Sequence, residues 1–154
     1  MTQDPPVHWH GYEWTGHARS YFQDSARRPG SVGFAQNGIP PLMTGHWLLR
    51  PCPARSTWTE PDAALGWLTT RYQAHPPFQR LDGGRAYPEL DWKLTVAADA
   101  LRGGVDVTWC YWTSPQAGLL ASFSVVCCPN RHHPDLACPN ASTGAARRHL
   151  HAVP

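Results

Sequence analysis

The sequence predicts an α+β fold: a C-terminal three-stranded antiparallel sheet over about residues 90–128, packed by one main helix over about residues 60–75, with an N-terminal strand and a loop-rich segment ahead of them. Three observations predict it. Apolar residues alternate through residues 90–128, they recur at helical spacing through 60–75, and glycine and proline punctuate residues 15–45 too densely for a long regular element.

The sheet can be given a register. If Gly103-Gly104 form a two-residue turn, Ala100, Ala98 and Val96 face Val107, Trp109 and Tyr111. A loop of odd length around Pro115-Gln116-Ala117 then sets Tyr111, Trp109 and Val107 opposite Ala121, Phe123 and Val125. An even loop would set the aromatic rings against Ser122 and Ser124, so burial selects the odd one. The expected inner face carries Trp92, Leu94, Val96, Trp109, Tyr111, Phe123 and Val125; the reverse face carries Thr95, Asp99, Asp106, Thr108, Cys110, Trp112, Ser122 and Ser124.

The helix begins at Thr59 as N-cap, with Glu60, Pro61 and Asp62 in its first turn, where acids and proline are favoured. Leu65, Leu68 and Tyr72 form its apolar stripe, and His75-Pro76-Pro77 ends it. Near the N-terminus residues 7–14 alternate as a strand, with His8, His10, Tyr12 and Trp14 on one side and Val7, Trp9 and Glu13 on the other. A short helix over 18–26 and a brief strand over 46–50 complete the expected elements.

With 154 residues, 42% hydrophobic and 16% charged, the chain suits one domain over residues 1–128, followed by a proline- and histidine-rich covering loop and mobile tail over 129–154. The formal charge of +2 is spread without a basic cluster, which disfavours nucleic acid as partner. The N-terminal residues lack the apolar run of a signal peptide, and no stretch reaches the ~20 apolar residues of a membrane span, so a cytoplasmic protein with reduced cysteines is expected.

Two groups of residues suggest a metal. Cys127, Cys128, His132, His133 and Cys138 bring three thiols and two imidazoles into twelve residues, a donor set zinc prefers, although the spacing fits no standard finger. Adjacent strand residues point to opposite faces, so Cys127 is expected in the core and Cys128 as ligand. His8 and His10 place two imidazoles on one strand face and are candidates to complete the shell. Two buried thiols followed by a solvated loop would explain the same residues without a metal.

The eight tryptophans suggest a different use. Trp14, Trp47, Trp58 and Trp112 have no evident burial partner, and large aromatics with a polar handle favour interfaces and ligand grooves. The leading expectation is therefore a non-catalytic binding or accessory protein that captures a partner protein or an aromatic small molecule through Tyr12, Trp14, Trp47 and Trp112, with Asp99, Thr108 and Cys110 on the adjoining sheet face. The alternative is a zinc-binding protein using Cys128, His132 or His133, and Cys138. A small enzyme is a third reading, disfavoured because the common nucleotide, hydrolase and zincin signatures are missing and no base is fixed near Cys110.

Overall fold

The computed structural model describes residues 6–83 and 88–140. Its centre is a four-stranded antiparallel sheet in the order β2-β1-β4-β3, formed by β1 (His8–His17), β2 (Thr57–Trp58), β3 (Val107–Ser114) and β4 (Leu119–Cys128). Helices α1 (Ala18–Tyr21), α2 (Pro61–Ala74) and α3 (Leu90–Arg102) accompany it. The fold is thus α+β, and among the described residues no helix is long and apolar enough to cross a membrane.

The β3–β4 hairpin adopts the expected register: Val107, Trp109 and Tyr111 face Val125, Phe123 and Ala121. The first strand of the expected trio does not exist, because residues 90–102 form helix α3. The same letters carry two periodicities. Read in steps of two they place Trp92, Leu94 and Val96 together; read in steps of three and four they place Leu90, Leu94, Ala97 and Leu101 together. Alanine and leucine favour the helix, and the second reading matches the burial: Leu101 is 0% exposed, whereas Trp92 and Val96 are 60% and 48% exposed.

Gly103-Gly104 terminates that helix instead of turning a hairpin. Gly104 takes φ +77°, its N–H donates to Leu101 O at 3.1 Å, and Val105 N–H donates to Ala100 O at 2.8 Å. This pair of bonds is a Schellman closure, which satisfies the last helical carbonyls and needs a left-handed residue that glycine adopts without steric cost.

The second partner of β4 comes from the other end of the chain. All ten residues of β1 pair with β4, from His8 opposite Cys128 to His17 opposite Leu119. Trp9 and the odd-numbered residues of β3 and β4 face α2 and α3, forming a core with Ala64, Leu68, Tyr72, Ala97 and Leu101. Tyr111 Oη donates to His75 O at 2.6 Å and so ties the C-terminal end of α2 to the sheet. Helix α2 itself starts at Pro61, with Glu60 as N-cap, one residue beyond the expected Thr59.

The opposite sheet face is also covered. Tyr12, Trp47, Leu48, Cys52, Val126 and Cys128 form a second buried cluster, with Leu136 and Cys138 packed on it. The cover is the irregular chain between β1 and β2, where residues 44–49 form a 3-10 helix in place of the expected strand and Ala18–Tyr21 and Asp24–Arg27 replace one longer helix. Buried Arg27 holds this chain by donating to Pro40 O (2.7 Å) and Tyr21 O (3.1 Å). The expected polar reverse face is therefore interior at Ser122 and Ser124, and Ser124 is bonded to Thr108, which in turn bonds Thr44.

The helical assignment of residues 90–102 has a direct consequence for stability. Leu101→Ala should cost about 2–5 kcal/mol in urea unfolding, as for a fully buried leucine, whereas Trp92→Ala should cost less than about 1 kcal/mol. A larger loss at Trp92 than at Leu101 would return this segment to a strand.

Candidate metal centre

His8 and His10 leave β1 on the same side, two residues apart, and His8 stands directly opposite Cys128 across the β1–β4 ladder. Cys127, of opposite parity, lies in the helix-side core beneath Trp9's pairing position, so the two adjacent thiols serve different faces. After Cys128 the chain turns through a cis bond to Pro129, and buried Asn130 fastens the turn. Its amide nitrogen donates to both Asp106 carboxylate oxygens at 3.0 Å, and its side-chain oxygen accepts from His132 N–H at 3.1 Å. Asp106 also accepts from Cys127 N–H at 2.8 Å. This turn sends residues 131–140 back over the sheet, and Cys138 lands on the two histidines.

His8, His10, Cys128 and Cys138 thus gather four donor atoms within 4.8 Å of one another, a group that could hold a metal ion. Three edges of this polyhedron are 3.1 Å from His8 Nε2 to His10 Nε2, 3.4 Å from His8 Nε2 to Cys138 Sγ, and 3.5 Å from His10 Nε2 to Cys138 Sγ. A tetrahedral ion with bonds of about 2.0 Å to nitrogen and about 2.3 Å to sulfur implies a nitrogen–nitrogen edge of about 3.3 Å and a nitrogen–sulfur edge of about 3.5 Å. The observed spacings fall close to both.

The hydrogen bonds around the site fix which nitrogen faces it. His8 Nδ1 lies 2.9 Å from Pro6 O, an atom that can only accept, so Nδ1 carries the proton. His10 Nδ1 lies 3.0 Å from Thr57 Oγ1, whose hydroxyl donates to Pro53 O at 3.4 Å and whose oxygen also accepts from Asn140 Nδ2 at 3.4 Å. His10 Nδ1 is therefore the donor. In the neutral rings both Nε2 atoms then present lone pairs to each other and to Cys138. Two lone pairs 3.1 Å apart repel unless a proton or a cation lies between them.

Burial works against the proton. His10 is fully enclosed, and desolvation, followed by the neighbouring His8, lowers it to about 4. Desolvation, followed by the Cys138 thiol, pushes Cys128 up to about 12. Without a counter-charge the pocket would keep a thiol there; a bound cation reverses that preference.

The structure distributes the remaining candidates elsewhere. His132 is exposed, and His133 packs on Gly45 with its ring 4.8 Å from that of His46, so neither joins the four donors. Cys52 is buried nearby, with Sγ 3.5 Å from Ser56 O and 3.8 Å from Thr57 Oγ1, and is likewise outside the group. Tyr12 and Trp47 are buried and stack at 4.8 Å. Trp14 is half-buried with its ring 5.9 Å from Tyr21, and Trp112 is half-buried on β3. Asp99 is corrected from the sheet to an exposed position on α3, away from Cys110. Cys110 pairs with Ser122 as expected; its thiol is pushed up by burial, the wrong direction for a nucleophile.

Sequence reasoning grouped Cys128 with His132 and His133 by proximity in the chain and overlooked Thr57, for which a single threonine in a loop-rich segment gives no signal. The tautomers are open to measurement. Long-range 1H–15N NMR should find both His8 and His10 protonated at Nδ1, and Thr57→Val should weaken metal binding by about 10–100-fold, as loss of a bond that orients a ligand typically does; an Nε2–H proton on both rings would contradict the arrangement. Comparisons of the chain with family models, with curated proteins and with solved structures find no match in any of the three.

Proposed function

We propose that this is a zinc-binding protein whose centre, Cys128, Cys138, His8 and His10, is structural and joins residues 129–140 to the sheet. The observation that carries the reading is the facing pair of Nε2 atoms at 3.1 Å, each with its Nδ1 already committed to another partner. Two sulfur and two nitrogen donors, three of them at near-tetrahedral spacing and all within 4.8 Å, favour zinc over harder ions, which prefer oxygen. Two thiolates would also neutralise a dication, so that the buried assembly carries no net charge.

Four protein ligands complete a tetrahedron and leave no position for substrate or water. This supports a non-catalytic protein, because catalytic zinc ordinarily keeps one position open. Recognition of a partner through Trp14 and Trp112 has weaker support, since Trp14 packs on Tyr21 and both rings are half-buried.

Because none of the four donors belongs to the helix-side core, metal loss should loosen the C-terminal cover and not unfold the whole chain. Protein purified without added metal or chelator should contain about one zinc per chain. Chelation should raise hydrogen exchange at residues 131–140 while strands β3 and β4 stay protected. Cys138→Ser and His8→Ala should each lower zinc occupancy, with wild-type helix content retained. Metal-free protein that neither gains order nor binds added zinc, or full zinc occupancy in both variants, would overturn the reading.

A further inference from the structure

Strand β2 covers only the first part of the outer edge of β1: it pairs with Trp9 and His10 and then ends. Beyond it, Gly11, Tyr12 and Glu13 border a cleft of about 300 Å³ between β1 and the irregular chain that precedes β2. Its aromatic lining is Tyr12 and Trp47 from one side of the sheet and Trp67 from the other. Gly11 keeps this edge close-packed, since a Cβ there would lie 2.6 Å from the Trp58 ring. None of the four metal donors lines the cleft.

Two cations face this space, Arg50 and Arg55. Arg50 is 4% exposed and sits between rings, 4.2 Å from the Phe34 centroid and 5.0 Å from that of Trp47. It donates to Phe34 O, Ile39 O and Asn37 Oδ1, all neutral acceptors that engage three of its five N–H groups. Among the described residues no carboxylate forms an ion pair with it. Burial lowers it to about 10, consistent with a charge held without an anion. The one acid on the cleft, Glu13, is already engaged with Arg71 at 3.3 Å. Arg55 is exposed at the rim and likewise lacks an ion pair among the described residues.

A buried guanidinium without a counter-ion is costly, and a planar fork with free N–H groups complements a carboxylate. Rings on the neighbouring walls complement a flat apolar body, and the volume is at the lower end of those that hold small molecules. We infer that this cleft binds a small aromatic carboxylate, with Arg50 and Arg55 receiving the carboxylate and Tyr12, Trp47 and Trp67 flanking the ring. The inference does not depend on the zinc centre, and zinc-loaded and metal-free protein would both serve to test it.

The probes are benzoate and indole-3-acetate, each compared with its neutral amide, with binding followed by calorimetry and by 1H–15N chemical shifts. At least one acid should bind saturably with a Kd below about 1 mM, and its amide should bind at least about tenfold more weakly. Shifts should centre on Gly11, Gly38 and Ser56, which line the cleft. Arg50→Gln should weaken the acid by about tenfold; should that variant fail to fold, the exposed Arg55→Gln should still weaken it by about threefold. Absence of saturable binding by both acids, equal binding of acid and amide, shifts centred elsewhere, or unchanged affinity in the folded variants would each overturn the assignment.

Discussion

The ten-residue ladder between β1 and β4 joins the two ends of the described chain, and the remaining architecture hangs on it. It makes β4 a central strand with neighbours on both sides, which is why residues 120–128 are buried without interruption. It also sets the register that puts His8 opposite Cys128. A slip of one residue would exchange the two faces, moving Trp9 out of the helix-side core and both imidazoles into it. The burial of Trp9 against α2 therefore enforces the geometry of the candidate metal centre.

The two faces solve different physical problems. Helices α2 and α3 supply a conventional apolar layer against Trp109, Tyr111, Phe123 and Val125. The other face is roofed by chain with almost no regular structure, whose backbone groups must find partners without a helix or ladder. Buried and half-buried side chains provide them: Arg27 and Arg50 bond loop carbonyls, half-buried Asn37 bonds Ala26 O and Gly33 O, and Asn130 holds the turn after β4. Such a roof has little apolar area of its own over residues 129–140, and a four-coordinate ion at Cys138 would fix it where packing alone is thin.

Much of this was legible in the sequence, and the failures have physical causes. The β3–β4 register followed from parity, because Trp109, Phe123 and their neighbours could be buried together in only one alignment. The side of β1 that carries His8 and His10 followed from the same alternation, as did the separation of Cys127 from Cys128. Residues 90–102 were misread because Leu94 belongs to both a strand pattern and a helix pattern, and Gly103-Gly104 can turn a hairpin as well as end a helix, which left the alanine and leucine content as the signal for the helix. The pairing of β1 with β4 spans more than a hundred residues and leaves no local mark. For that reason His132 or His133 was ranked first beside Cys128 and Cys138, with His8 and His10 only as candidates to complete the shell: nearness in sequence was weighed above nearness in space.

Zinc K-edge X-ray absorption on the protein as purified tests the central claim most directly, because it reports donor identity and not merely metal content. The account predicts two sulfur scatterers at about 2.3 Å and two imidazole nitrogens at about 2.0 Å, with no oxygen in the first shell. A shell dominated by oxygen, or one with three or four sulfurs, would contradict it, since His8 and His10 would then not both be ligands of the metal.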